Sequence, residues 1–163
     1  MFDVELQAIS ERALEQLVAG LSVELSRYRV IEGALPPPHV AKRALINLAR
    51  GCSPNWAVPF NIVHVPDGRV VGGCGFKGEP VAGVVEIGYG IALSCMRRGF
   101  AKKGVGLILE MARAANIRAV IAHISAGNEA SAALARSLGF IAESPVVDSD
   151  GEEVVRWRWK SDA

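Results

Sequence analysis

EIGYGIAL (residues 86–93), MRRGFAKKG (96–104) and NEASAALARSLGF (128–140) are the stretches that decide the fold of this chain. The first alternates as a strand does. Val85, Ile87, Tyr89 and Ile91 project to one face, and Glu86, Gly88 and Gly90 project to the other, which is left almost without side chains. The second opens a helix over residues 101–115 whose buried stripe is Ala101, Val105, Ile108, Leu109 and Ala112. After a strand at 118–124, the third reads as a short helix at 129–138 ended by Gly139. This order puts a helix N-terminus, its unpaired N–H groups and the cations Arg97, Arg98, Lys102 and Lys103 at the exit of a strand. Such a junction is a natural seat for a pyrophosphate, so the chain is expected to hold a nucleotide-derived anion there.

Working outward, residues 2–9 read as a first strand, and Ser10 caps a helix carrying Ala13, Leu14, Leu17 and Val18 on one face. Pro36, Pro37 and Pro38 break the chain before a second helix. Its stripe is Ala41, Ala44, Leu45, Leu48 and Ala49, and Gly51 stands where a left-handed cap belongs. These two early helices are placed to form a lid. Strands at 60–65 and 69–76 are joined by the turn Pro66-Asp67-Gly68. A turn at 78–83 leads into a strand at 83–93, and a hairpin of 140–147 with 152–160 closes the chain. The order βααβββαβαββ predicts an α/β (α+β) fold. Its sheet is mixed and mostly antiparallel, with helices on both faces, in a single domain over residues 1–163.

Composition narrows the function. At 163 residues, half of them apolar, the chain suits one sizeable core. Its 18 basic and 17 acidic residues give a net charge of +1, too little to hold a nucleic-acid backbone. No apolar run nears the ~20 residues of a membrane span, and MFDVELQ is acidic where a secretory signal is basic, so a cytoplasmic protein without a membrane partner is expected. Cys52, Cys74 and Cys95 have no metal-like spacing and are read as reduced thiols, with no metal site.

Two nucleotide motifs fail on inspection. Gly73-Cys74-Gly75-Phe76-Lys77-Gly78 spells G-x-G-x-x-G, but no helix follows it. Gly99 and Gly104 have Walker A spacing, yet Val105-Gly106 replace the required Lys-Ser/Thr pair. A different anion site remains. Met96-Arg97-Arg98-Gly99-Phe100-Ala101 resembles the R/Q-x-x-G-x-G/A signature of the GNAT superfamily of acyl-CoA-dependent N-acetyltransferases. Glu86-Ile87-Gly88-Tyr89-Gly90-Ile91 resembles that family's fourth strand. Asn128-x-x-Ser131 closing at Leu138-Gly139-Phe140 is similar to the N-x-x-S…LGF segment of the RimJ/RimL-like group. Met96 departs from the signature's usual Arg or Gln.

The resemblance implies an N-acetyltransferase that moves acetyl from acetyl-CoA, its co-substrate, to a primary amine on a protein N-terminus or a small molecule. The alternative is a non-catalytic acyl-CoA-sensing module of the same fold, and a homodimer is compatible with either. A bulge that splays residues 83–93 from 118–124, as the family has it, would let the pantetheine arm pair like an added strand beside Tyr89, Gly90 and Ile91. The diphosphate would take N–H groups from Arg98, Gly99, Phe100, Ala101 and Lys102, with the charge of Arg97, and Asn128 would cap the next helix or touch the cofactor. Glu86 is the candidate base, directly or through water, with a structural ion pair as its competing role. Ser131 is the candidate contact to the thioester sulfur, against a first-turn serine that merely satisfies backbone. Some relatives carry a tyrosine acid where this chain has Ala135. His123 reads as a hydrogen-bonded core histidine rather than a base. The acceptor pocket is expected from the early helices, the region of Trp56 and the closing hairpin. Asp148, Asp150, Glu152 and Glu153 at the last hairpin read either as an ordinary acidic surface turn or as an attraction for a cationic acceptor.

Overall fold

The computed structural model describes residues 3–161. Strands β1 (Val4–Ala8), β2 (Arg29–Val30), β3 (Phe60–His64), β4 (Arg69–Phe76), β5 (Val84–Ile91), β6 (Ala119–Ser125), β7 (Ile141–Val147) and β8 (Glu153–Lys160) form a sheet ordered β1-β3-β4-β5-β6-β8-β7, with β2 against β4. Pairing is antiparallel except at β5–β6 and β2–β4. The helices are α1 (Glu11–Val18), α2 (Pro38–Ala49), α3 (Pro54–Ala57), α4 (Phe100–Ala114) and α5 (Glu129–Ser137). β2 and α3 add to the order expected from sequence. Two and four residues are too short to show a period, and each is held by tertiary contact instead.

The central strands are buried on both faces. β3 and β4 present nearly unbroken buried runs, so both faces of the sheet are covered. On one side α4 buries Phe100, Val105, Ile108, Leu109 and Ala112, and Gly104 lets it approach closely: a Cβ there would lie 2.6 Å from Ile62. α1 and α2 pack around Ile9, Ala13, Leu14, Ala41, Ala44, Ala57 and Val58, a second cluster beside the main core. Ser10 Oγ accepts from the Ala13 N–H, which is the expected N-cap. Val18 and Ala49, placed on buried stripes by period alone, are exposed because each lies in the last turn of its helix.

The feature that positions the site is a split in the sheet. β5 and β6 pair only through Val84, Val85 and Glu86 with Ala119, Val120 and Ile121. Beyond Glu86, β5 stays on β4 as far as Ile91, while β6 stays on β8 as far as Ser125. The two strands diverge, and a gap opens between them.

Candidate active site

One face of the β4–β5 ladder is built from glycine. The register sets Gly73 opposite Gly90 and Gly75 opposite Gly88, two pairs without side chains in succession. The glycines differ in what requires them. Cβ atoms at Gly73 and Gly75 would crowd Phe60 O and Pro59 Cα at 3.1 and 3.0 Å, and one at Gly88 would meet Lys77 Cε at 3.2 Å. At Gly90 nothing lies within 4 Å. The glycine run of β4, which mimicked a dinucleotide fingerprint, therefore serves the close crossing of residues 59–60, and Gly90 floors open space. A cavity of about 440 Å³ occupies this region, lined by residues 33–37, by α2, by Ala57 and Pro59, and by both edges of the gap.

Backbone polarity completes the gap. Lys77 N donates to Glu86 O and Ala92 N to Val71 O, each 2.8 Å, which fixes the phase of the antiparallel ladder. By its alternation, Gly88 and Gly90 turn their amides to β4, and Tyr89 and Ile91 turn theirs toward the gap, where β6 no longer pairs. Extended main chain with free donors and acceptors can bind a peptide-like chain as a further strand would.

At the apex of the gap lies Glu86. Its Oε2 is 2.8 Å from Lys77 Nζ and 3.1 Å from His123 Nδ1. Burial raises the carboxyl's proton affinity, but the hydrogen bond and charge of Lys77, then those of His123, outweigh it and leave the pKa below the ordinary glutamate value. Glu86 is thus a carboxylate and a weak base. Lys77 and His123 line the cavity, whereas Glu86 stands one contact behind them. His123 is hydrogen-bonded as expected, but its side chain is 27% exposed and belongs to the cavity wall, not the core. An imidazole that donates from Nδ1 to a carboxylate is held in the tautomer whose Nε2 accepts a proton. Sequence alone did not single out this pair. Parallel pairing of Glu86 with Ile121 brings the two together from elements 37 positions apart.

The opposite end of β5 leads into the segment expected to seat an anion. A 3-10 turn at Leu93–Cys95 is followed by Arg97 at φ 64° and Gly99 at φ 83°, both left-handed, and α4 begins at Phe100 without a side-chain cap. Among the described residues, no hydrogen bond takes up the N–H groups of Arg97, Arg98, Gly99, Ala101 or Lys102. Arg97, Arg98, Lys102 and Lys103 are exposed around them. Successive free amides in such a turn form a concave anion site, and the helix N-terminus adds positive potential.

The gap's far edge comes from β6 and α5. Asn128 Oδ1 accepts from Ser131 N at 3.1 Å, capping α5, and both residues line the cavity. Ser131 Oγ makes no hydrogen bond among the described residues, so it is not spent on backbone. Tyr89 OH donates to Ser131 O at 3.3 Å and ties the two edges together, with burial pushing the phenol's pKa up. Ala135 is core. Of the named residues, Tyr89, Gly90, Ile91, Asn128 and Ser131 share the cavity, Glu86 backs it, and the segment 97–102 lies beyond the end of β5.

The remaining features fall away from the chemistry. α2 contributes His39, Val40, Arg43 and Ala44 to the cavity wall, but α1 and the closing hairpin contribute nothing, because β6 stands between that hairpin and the gap. Trp56 packs edge-on to Phe76, ring centroids 4.6 Å apart. Asp148 accepts from Asp150 N and Glu152 N, and Glu152 from Ser125 Oγ, so part of the acidic cluster organises its own turn. Burial pushes the Cys74 thiol up to about 12, and Cys95 is buried as well. Among the described residues no group of three or more His, Cys, Asp or Glu is placed to hold a metal, and no helix is long and apolar enough to cross a membrane.

Several solved structures share this fold. Ribosomal-protein-S5-alanine acetyltransferase from Vibrio fischeri superposes with a TM-score of 0.70 at 17% identity, covering 99% of this chain and 96% of that one. RimL, a ribosomal L7/L12 alpha-N-protein acetyltransferase in complex with coenzyme A, gives 0.68 at 22% identity, with 98% and 95% covered. Dodecameric spermidine N-acetyltransferase from Vibrio cholerae gives 0.68 at 14%, with 96% and 93% covered. No curated protein sequence matches significantly. At these identities the neighbours establish the fold alone. The acetyltransferase (GNAT) domain model matches residues 3–141, which hold strands β1 to β6, helices α1 to α5 and both edges of the gap. This chain belongs to the GNAT acetyltransferase family.

Proposed function

We propose that this protein transfers the acetyl group of acetyl-CoA to a primary amine by direct attack, in the cytoplasm and as a single-domain enzyme. The observation that carries the reading is the gap between β5 and β6, with the unpaired amides of Tyr89 and Ile91 leading to the free N–H groups of Arg98, Gly99, Ala101 and Lys102. Acetyl-CoA supplies the activated acyl thioester. The main chain of Arg98, Gly99, Phe100, Ala101 and Lys102, with Arg97, holds the diphosphate end, and the edge of β5 holds the pantetheine arm.

The residues at the other end do three things. An N–H from Tyr89 or Ile91 stabilises negative charge as it develops on the carbonyl oxygen, a contribution of roughly 3 kcal/mol where such donors have been removed. His123, held by Glu86, takes the amine's proton directly or through a water, so the role assigned to Glu86 is to orient and support the imidazole. Ser131 Oγ is available to hydrogen-bond the sulfur, and Asn128 fixes the turn that presents it. Orientation of the amine supplies much of the remaining acceleration.

The test is release of free thiol from acetyl-CoA across a broad amine panel, with acetylated products identified by mass spectrometry. Thiol release that depends on an amine is expected. Binding of acetyl-CoA with no release by any amine would make the protein a binding module instead, and absence of affinity for acetyl-CoA would refute both.

A further inference from the structure

The charges that line the cavity on the side away from the diphosphate seat bear on the acceptor. Asn47 Nδ2 donates to Lys77 O at 3.2 Å, which seats α2 over the end of β4. Arg43 lies one helical turn before Asn47 and on the same face. It therefore sits at the Glu86 end of β5, five residues or about 16 Å along the strand from Ile91, where the chain leaves for the diphosphate seat. Arg43 is half-buried on the cavity wall and makes no hydrogen bond or ion pair with any described residue. Glu86 acts on it only at a distance, and burial lowers the guanidinium's proton affinity more than Glu86 restores it. Glu86 is already taken by Lys77 and His123.

Among the described residues the rest of the wall offers Arg43 no carboxylate. Lys77, His39 and His123 line the cavity with Arg43, and no Asp or Glu does. A half-dry guanidinium without a counter-ion is incomplete as it stands, and its planar fork matches an oxyanion in two parallel hydrogen bonds. A second ammonium group, as in a polyamine, would find no lining carboxylate here, and Glu86 behind the wall is already shared by Lys77 and His123.

We propose that Arg43 receives a carboxylate of the acceptor, so that the amine acetylated at this site belongs to a small molecule of the amino-acid class. This rests on the acetyltransferase reading, and it names the substrate that reading leaves open. Space agrees with it, since the cavity of about 440 Å³ must take both the thioester end and the acceptor.

The experiment compares, for each of a set of side chains, the free amino acid, its amide and the amine lacking the carboxyl group, with spermidine and short peptides as further acceptors. Thiol release gives kcat/KM for each, and calorimetry with coenzyme A present gives acceptor binding without turnover. The free acid is expected to exceed its amide about tenfold to a hundredfold, the worth of a charge-assisted pair, and Arg43→Ala to collapse that ratio. Arg43→Lys should restore part of it, and coenzyme A affinity reports that each variant is folded. Amides, peptides or spermidine used as well as the free acids would overturn the proposal while leaving acetyl transfer intact. An unchanged ratio in Arg43→Ala would overturn it too. Amino-acid binding that needs Arg43 but yields no thiol would uphold it and count against catalysis.

Discussion

Replacing Glu86 by Gln separates chemistry from stability more sharply than any other change in this site. The carboxylate accepts from Lys77 at 2.8 Å and from His123 at 3.1 Å, with its side chain 29% exposed. An amide of the same shape keeps an oxygen acceptor but loses the charge. Hydrogen bonds to charged groups contribute about 1.5–3 kcal/mol where buried, and partial solvation together with the retained oxygen brings the expected loss to about 1 kcal/mol. For a chain of this size that lowers Tm by about 2–4 °C. The catalytic effect is larger. Without the carboxylate, the histidine's tautomer and orientation are no longer set, and general-base catalysis contributes about 10²–10⁴-fold, or roughly 3–5 kcal/mol of barrier. Thiol release under saturating acetyl-CoA, beside a thermal melt and a coenzyme A titration, reads the three quantities on one preparation. The expected pattern is a folded variant with unchanged coenzyme A affinity and kcat reduced at least a hundredfold. A kcat within threefold of the unsubstituted protein would remove Glu86 from the mechanism.

Four further outcomes follow from the backbone and the charges. Gly72→Ala should destabilise the fold by several kcal/mol, because its Cβ would lie 2.3 Å from Gly90 O and 2.6 Å from Ile91 Cδ1. Gly90→Val should leave Tm within about 2 °C yet weaken coenzyme A binding about tenfold or more, since its side chain enters the open floor of the gap; equal effects on both properties would contradict the trough. Gly99→Val forces a β-branched residue to φ 83° and should cost coenzyme A affinity about tenfold, checked by titration against free adenosine diphosphate. Acid should destabilise the protein partly through Glu86. Burial opposes ionisation, but Lys77 and His123 prevail and depress the folded-state pKa, so the carboxylate's stabilisation is complete above about pH 4.3 and is lost as pH falls through the lower folded value. Urea melts from pH 6 to pH 3 should show a shallower loss for Glu86→Gln than for the unsubstituted chain.

What the sequence made legible was local in origin. Ser10 caps α1, a helix opens just past the Arg97–Gly99 turn, one residue earlier than the expected 101, and the alternation of residues 84–91 left one face bare, because each of these depends on a few neighbouring residues whose chemistry is strong. The anion seat belongs to this class, since it is one strand exit and one helix start. The reacting end does not. Glu86, His123, Lys77 and Arg43 lie on β5, β6, the end of β4 and α2, and only the parallel pairing at Glu86–Ile121 and the Asn47–Lys77 hydrogen bond bring them to one wall. Each alone has an ordinary reading: a strand carboxylate, a histidine in an apolar run, a lysine after a glycine cluster, a cation on an amphipathic helix. His123 is instructive, because an apolar run of residues normally signals burial on both sides. Here the run lies on a strand that loses one neighbour halfway, so the residues after Ile121 keep β8 on one edge and border the gap on the other. The same divergence frees the amides of Tyr89 and Ile91 and exposes His123, so one irregularity in the sheet supplies both the strand edge and the imidazole that the proposed mechanism requires.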